Sequence, residues 1–231
     1  SMPDERHYRH ELKYSVSFAD YISMRTRLKA VMRSDPHAGS DGRYLVRSIY
    51  FDNSDDKVLR EKIDGVNNRE KFRIRYYNDD LSYIILEKKT KTDRLSTKDG
   101  VVISEEEFRK ILSGDFSFMR DHDADLVKEL YAKMSYQRLK PRLLVSYIRE
   151  PYTYNAGNVR VTFDWKIRTS LFDREFIDRK MSDISATDSP QDMILEIKYD
   201  AFLPEIIQDM IQVPELRQQA FSKYGASRRF G

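Results

Sequence analysis

The sequence predicts an α+β fold: a largely antiparallel sheet of seven to nine strands, closed into a barrel with a charged interior, with helices packed outside. Three observations lead there. Read at the two-residue period of a strand, EKFRIRYY (residues 70–77) puts Lys71, Arg73 and Arg75 on one face and Phe72, Ile74 and Tyr76 on the other. The same alternation recurs around Glu11 and Lys13, Glu87 and Lys89, Arg160 and Asp164, and Glu196 and Lys198. Finally, these charged faces hold a surplus of bases that a solvated sheet does not need.

The elements follow in order. A first strand covers 8–16 and a helix 18–33, with Tyr21, Ile22, Leu28 and Val31 at helical spacing before the turn-rich DPHAGSDG. A strand at 44–51 carries one charge, Arg47, and 52–65 reads as a turn and short helix. Strands at 70–77 and 83–90 form a hairpin through Asn78, Asp79 and Asp80. After a short strand at 101–103, Ser104 and Glu107 make a capping box that opens a helix, and a second helix covers 123–137. Strands at 143–152, 159–164, 167–172 and 193–199 follow, the last after a loop at 181–191. Pro204 opens a helix to about residue 211, and a final short helix follows Pro214.

At 231 residues the chain is read as one domain, 3–231, with Ser1 and Met2 set aside as a cloning remnant and start methionine. It has no cysteine, which excludes disulfides and thiolate chemistry and fits a reducing, cytoplasmic compartment. No apolar run is long enough to span a membrane, and no secretory leader is expected.

Charge placement carries more than net charge. The candidate face holds ten bases (Arg9, Lys13, Arg47, Lys71, Arg73, Arg75, Lys89, Arg149, Arg160, Lys198) and four acids (Glu11, Glu87, Asp164, Glu196). That surplus of +6 exceeds the +3 of the whole chain. Neighbouring like charges on paired strands repel, so a solvated face gains nothing from it. Turned inward, the cations need a polyanion, because a lone buried charge costs several kcal/mol or more. Repulsion among Lys71, Arg73 and Arg75 also predicts that Arg73→Glu folds better when no anion is present.

The acids admit two readings. Each of Glu11, Glu87 and Glu196 stands two residues before a lysine on its strand face. Such a carboxylate either neutralises a base or holds a hard divalent cation, Mg²⁺ or Mn²⁺, beside a phosphate.

As a set, RHELKY (9–14), RSIYFD (47–52), KFRIR (71–75), LEKK (86–89), VRVTFD (159–164), LEIKY (195–199) and SKY (222–224) resemble the VTC domain. This is the catalytic domain of the vacuolar transporter chaperone complex, within the triphosphate tunnel metalloenzymes. The resemblance implies an eight-stranded antiparallel tunnel. It also implies a polyphosphate polymerase that moves the γ-phosphate of ATP onto a growing chain with Mn²⁺ or Mg²⁺. By motif, Lys13, Arg73, Arg75 and Glu196 would be catalytic, with Glu196 on the metal and Glu11 and Glu87 as further metal candidates. Arg47, Lys71, Lys89, Arg149, Arg160, Lys198 and Lys223 would bind phosphates, and Tyr147 would lie at the nucleotide end. The superfamily opens with ExExK. Arg9 gives RxExK here, which favours the polymerase branch without excluding a triphosphatase.

No GxxxxGK[ST], GxGxxG or HExxH motif occurs, and His7, His10, His37 and His122 lack metal-ligand spacing. Nucleic acid is not expected as a partner. A non-catalytic module for polyphosphate or another polyanion is the remaining alternative.

Overall fold

The computed structural model describes residues 9–35, 38–39, 41–53, 68–92, 95–178, 193–211 and 217–218. The alternating segments become eight long strands: β1 (His10–Val16), β3 (Tyr44–Asp52), β4 (Asn68–Tyr77), β5 (Asp80–Thr92), β6 (Leu95–Ile103), β7 (Lys140–Tyr154), β8 (Val159–Leu171) and β9 (Met193–Tyr199). Two-residue strands, β2 (Arg33–Ser34) and β10 (Arg217–Gln218), complete a sheet ordered β10-β1-β9-β8-β7-β3-β4-β5-β6, with β2 beside β7. Every pairing is antiparallel. The two strands expected over 159–172 are one, because the β7–β8 register shifts between Ser146 and Ile148 without ending the ladder. Residues 217–218 pair with β1 as strand where a final helix was expected. The helix expected over 52–65 and the loop over 181–191 fall almost wholly outside the described residues.

The sheet curls but is not the closed barrel expected from sequence. Among the described residues its far strands, β1 and β6, meet at one isolated bridge, Arg9 with Ser96. In the antiparallel register of that bridge, Leu95, the first residue of β6, falls opposite His10, so β6 begins where β1 begins and the two overlap no further along β1.

Helices cover the outside. In α1 (Phe18–Val31), Ser17 caps the start by accepting from the Asp20 amide at 3.1 Å, and Tyr21, Met24 and Leu28 face inward at helical spacing. The expected capping box opens α2 (Glu105–Ser113), and Gly114 closes it at φ 83°, a conformation that favours glycine. α3 (Asp125–Tyr136) and α4 (Glu205–Ile211) complete the described α-helices. One apolar core joins Phe72, Ile74, Tyr76 and Leu86 to Phe108 and Ile111 of α2 and Val127 and Leu130 of α3. A second joins Val161, Phe163, Leu195 and Ile197 to α1 and α4. Each such side chain contributes roughly 1.5–3 kcal/mol by leaving water. The apolar strand faces thus lie outward under helices, as expected, which leaves the charged faces inside the curl. No helix among the described residues is long and apolar enough to cross a membrane.

Candidate functional site

Directly paired residues of an antiparallel ladder share a face, so the register identifies the inner one. From β6 round to β1 it carries Lys98, then Glu87 and Lys89, then Lys71, Arg73 and Arg75, then Ser48 and Tyr50. Tyr147 and Arg149 follow on β7, then Arg160 and Asp164, then Glu196 and Lys198, and finally Glu11 and Lys13. Groups on opposite sides of the curl act on one another: Lys13 on Lys71, and Lys198 and Glu11 on Lys89.

Three lysines form a row, Lys71 opposite Lys89 and Lys89 opposite Lys98. Burial and then neighbouring cations push Lys71 down to about 7. Burial pushes Lys98 down to about 8, although Glu87 opposes it, and lowers Lys89 well below the lysine range. Beside the row, Glu87 is 2% exposed and draws three cations: Arg73 Nε at 3.4 Å, Arg75 at 3.4 Å and Lys98 Nζ at 3.3 Å. Burial would raise the Glu87 carboxyl, but Arg73 and Arg75 hold it far below the usual carboxylate range. Arg73 also donates to the Tyr50 hydroxyl at 3.2 Å, and Arg75 to that of Tyr147 at 2.9 Å.

Across the curl, Glu196 lies 3.1 Å from Lys198 Nζ and 3.5 Å from Lys13 Nζ. Against its burial, Lys198 and Lys13 hold it ionised. Glu11 reaches the same Lys198 Nζ at 3.9 Å and accepts from Ser96 at 3.3 Å. Glu11 and Glu196 therefore converge on one point. No three His, Cys, Asp or Glu side chains gather among the described residues, so to hold a hard divalent cation with phosphate oxygens this pair would exchange its contacts with Lys198 and Lys13 for the ion. Glu87 fits poorly, because its oxygens face Arg73, Arg75 and Lys98.

Arg47 leaves the inner face, and Arg149, Arg160 and Arg9 are already held by carboxylates. Arg47 pairs in register with Tyr76 and Ser146, on the outer face. It is fully buried there, 3.1 Å from Asp79, and does not join the inner cations. The guanidinium of Arg149 is held in a two-bond fork by Asp164, at 2.8 and 2.9 Å. Arg160 lies at one end of the face, bonded to Asp35 at 2.6 Å and to the Tyr44 hydroxyl at 2.7 Å. Arg9 is held at the rim by Asp200 and by the Asn158 carbonyl. Lys223 lies outside the described residues.

Sequence reasoning missed Lys98, Tyr50, Tyr44 and Asp35. Lys98 had a usable signal: Ser96, Lys98 and Gly100 stand at strand period beside the hairpin, masked by the strand-poor residues Asp99 and Gly100. The tyrosines had none, because aromatic residues on strands usually indicate core.

Comparison with curated proteins finds no match. Among solved structures, a candidate adenylate cyclase of Bacillus halodurans is similar at 15% identity and TM-score 0.50, covering 95% of this chain and 98% of that one. A protein of Pyrococcus horikoshii is similar at 13% identity and TM-score 0.48, over 96% of this chain and 100% of that one. The profile of the VTC domain matches residues 8–230. With a curled antiparallel sheet whose inner face is basic and whose outer face is apolar, the chain belongs to the VTC domain family.

Proposed function

We propose that the protein is a metal-dependent polyphosphate polymerase, transferring the γ-phosphate of ATP to the end of a polyphosphate chain lying on the inner face. The observation that carries this reading is the Lys71–Lys89–Lys98 row. Burial and the nearby cations Lys13, Arg73 and Lys198 disfavour charge on these lysines, and a polyphosphate laid across them would restore it. Family membership adds that VTC and related tunnel domains take triphosphate substrates such as ATP or polyphosphate and generally depend on a divalent metal.

Phosphoryl transfer has a loose transition state, so catalysis consists mainly of alignment and charge neutralisation. Arg73 and Arg75, oriented by Glu87, Tyr50 and Tyr147, present guanidinium forks to the transferred phosphoryl group. Lys13, Lys71, Lys89 and Lys198 hold the donor and acceptor phosphates in line. The bond from the γ-phosphorus to the ADP oxygen breaks as a bond to the acceptor's terminal oxygen forms. Glu196, with Glu11, would hold the divalent ion, which offsets phosphate charge when bound. Water in place of the acceptor phosphate would make the same site a triphosphatase.

Incubation with ATP and Mn²⁺, with products resolved by gel electrophoresis and phosphorus NMR, tests the reading. Polymerase activity gives ADP and a ladder of polyphosphate. Release of inorganic phosphate alone selects the hydrolase, and no turnover with tight polyphosphate binding selects a binding module.

A further inference from the structure

At the end of the inner face where β4 turns into β5, Tyr44, Tyr77 and Tyr83 line a cavity of about 400 Å³. The turn is tight: Asn78 and Asp79 both have positive φ, 54° and 53°, between the paired residues Tyr77 and Asp80. β5 then departs from the ladder, which resumes with Ile84 opposite Tyr76, and the Ser82 amide donates to Asp80 at 2.9 Å within the irregularity. Such irregularities re-aim side chains. Here Tyr83, half exposed, comes to lie nearly parallel to Tyr77, with ring centres 6.5 Å apart and planes 27° apart. Tyr44 meets Tyr77 edge-on at 5.5 Å.

The chemistry of this cavity is opposite to that of the lysine row. Among the described residues its charged lining is Asp35, Asp80 and Arg160, and Arg160 is already bonded to Asp35 and Tyr44. Two carboxylates and one committed cation disfavour a phosphate. Aromatic walls with polar edges suit a flat, uncharged heterocycle with N–H and O–H groups to donate. The cation row begins at the cavity's edge, since the Arg75 guanidinium lies 5.8 Å from the Tyr77 ring centre. From Tyr77 to Lys71 the strand runs about 20 Å, enough for a phosphate chain.

We infer that Tyr44, Tyr77 and Tyr83 cradle the nucleoside of ATP and select it over inorganic triphosphate. The inner face then has a direction: base at the tyrosine end, phosphates along Arg75 and Arg73, and the polyphosphate product over the lysines. This rests on the proposed function and adds the residues that recognise the nucleoside.

Calorimetric titration of the whole chain with ATP, ADP and inorganic triphosphate, in parallel for wild type, Tyr83→Ala and Tyr77→Phe, tests it. Tyr83→Ala should weaken ATP and ADP about tenfold, the scale of one lost base–aromatic stack, and leave triphosphate within about twofold. Tyr77→Phe keeps the ring but loses its polar edge, and should weaken ATP and ADP less than Tyr83→Ala does while leaving triphosphate within about twofold. Circular dichroism checks that each variant is folded. If Tyr83→Ala weakens ATP and triphosphate equally, or neither, the cradle is overturned while the basic face stands. If wild type binds no triphosphate, the reading of the basic face fails and the cradle fails with it.

Discussion

Lys71 and Lys89 stand directly opposite each other across the β4–β5 ladder, and Lys98 continues the row on β6. A folded protein keeps like charges in register at a cost in stability, and ligand binding can recover it.

The first prediction concerns protons. Burial lowers Lys71 to about 7 and Lys98 to about 8, below the ordinary lysine value near 10.5. Between those values the unfolded chain binds more protons than the folded one, so stability of the anion-free protein rises with pH. Its melting temperature should therefore climb from about pH 7 to pH 9.5, and inorganic triphosphate should flatten the climb. At pH 8 triphosphate binding should take up about one proton, seen as a binding enthalpy that varies with the buffer's ionisation enthalpy. An enthalpy independent of buffer would show that the lysines are already charged.

The second concerns Arg73. Sequence alone suggested that Arg73→Glu would relieve repulsion and fold better. The pairing with buried Glu87 reverses that expectation, because the substitution replaces a partner with a like charge. Breaking a buried pair costs on the order of 3–5 kcal/mol, and chemical denaturation should show a loss of that size. Arg73→Met should destabilise less and still abolish turnover.

Arg47 supplies the third. Buried on the outer face beside Asp79, it supports the β4–β5 turn. Arg47→Met should lower the melting temperature yet leave triphosphate affinity within about twofold, well under the 1.4 kcal/mol that makes a decade. A tenfold loss of affinity at full folding would return Arg47 to the phosphate site.

The fourth separates metal from anion at Glu196. Glu196→Gln removes the charge that a hard cation needs and also releases Lys13 and Lys198. Turnover should collapse, while metal-free triphosphate binding holds or tightens. An unaltered Mn²⁺ midpoint would make Glu196 a counter-ion and leave Glu11 as the metal carboxylate.

Much of this arrangement was legible because strand alternation is local. The faces of β1, β4, β5, β8 and β9 could be assigned from EKFRIRYY and its counterparts. So could the Ser104–Glu107 cap, whose geometry spans four residues. Arg47 was misplaced because YLVRSIYF is apolar on both faces, so nothing in that stretch says which face its single charge takes. Only the pairing with Tyr76 decides it. Pairing between distant segments likewise governs closure of the sheet, and no spacing along the chain records where β6 meets β1. The partners of the carboxylates were hidden for the same reason: ExK spacing is compatible both with the crowding of three bases around Glu87 and with the convergence of Glu11 and Glu196.

The seam between β1 and β6 bears on how a polymer can lie inside. A ring sealed by a full ladder has two openings, and a chain within it must be threaded end to end. Among the described residues the two sides are joined by one backbone bridge and the Glu11–Ser96 hydrogen bond. On the proposed function, a seam held by those two contacts would part far more readily than a strand ladder and would let a long polyphosphate exchange sideways without first finding an end.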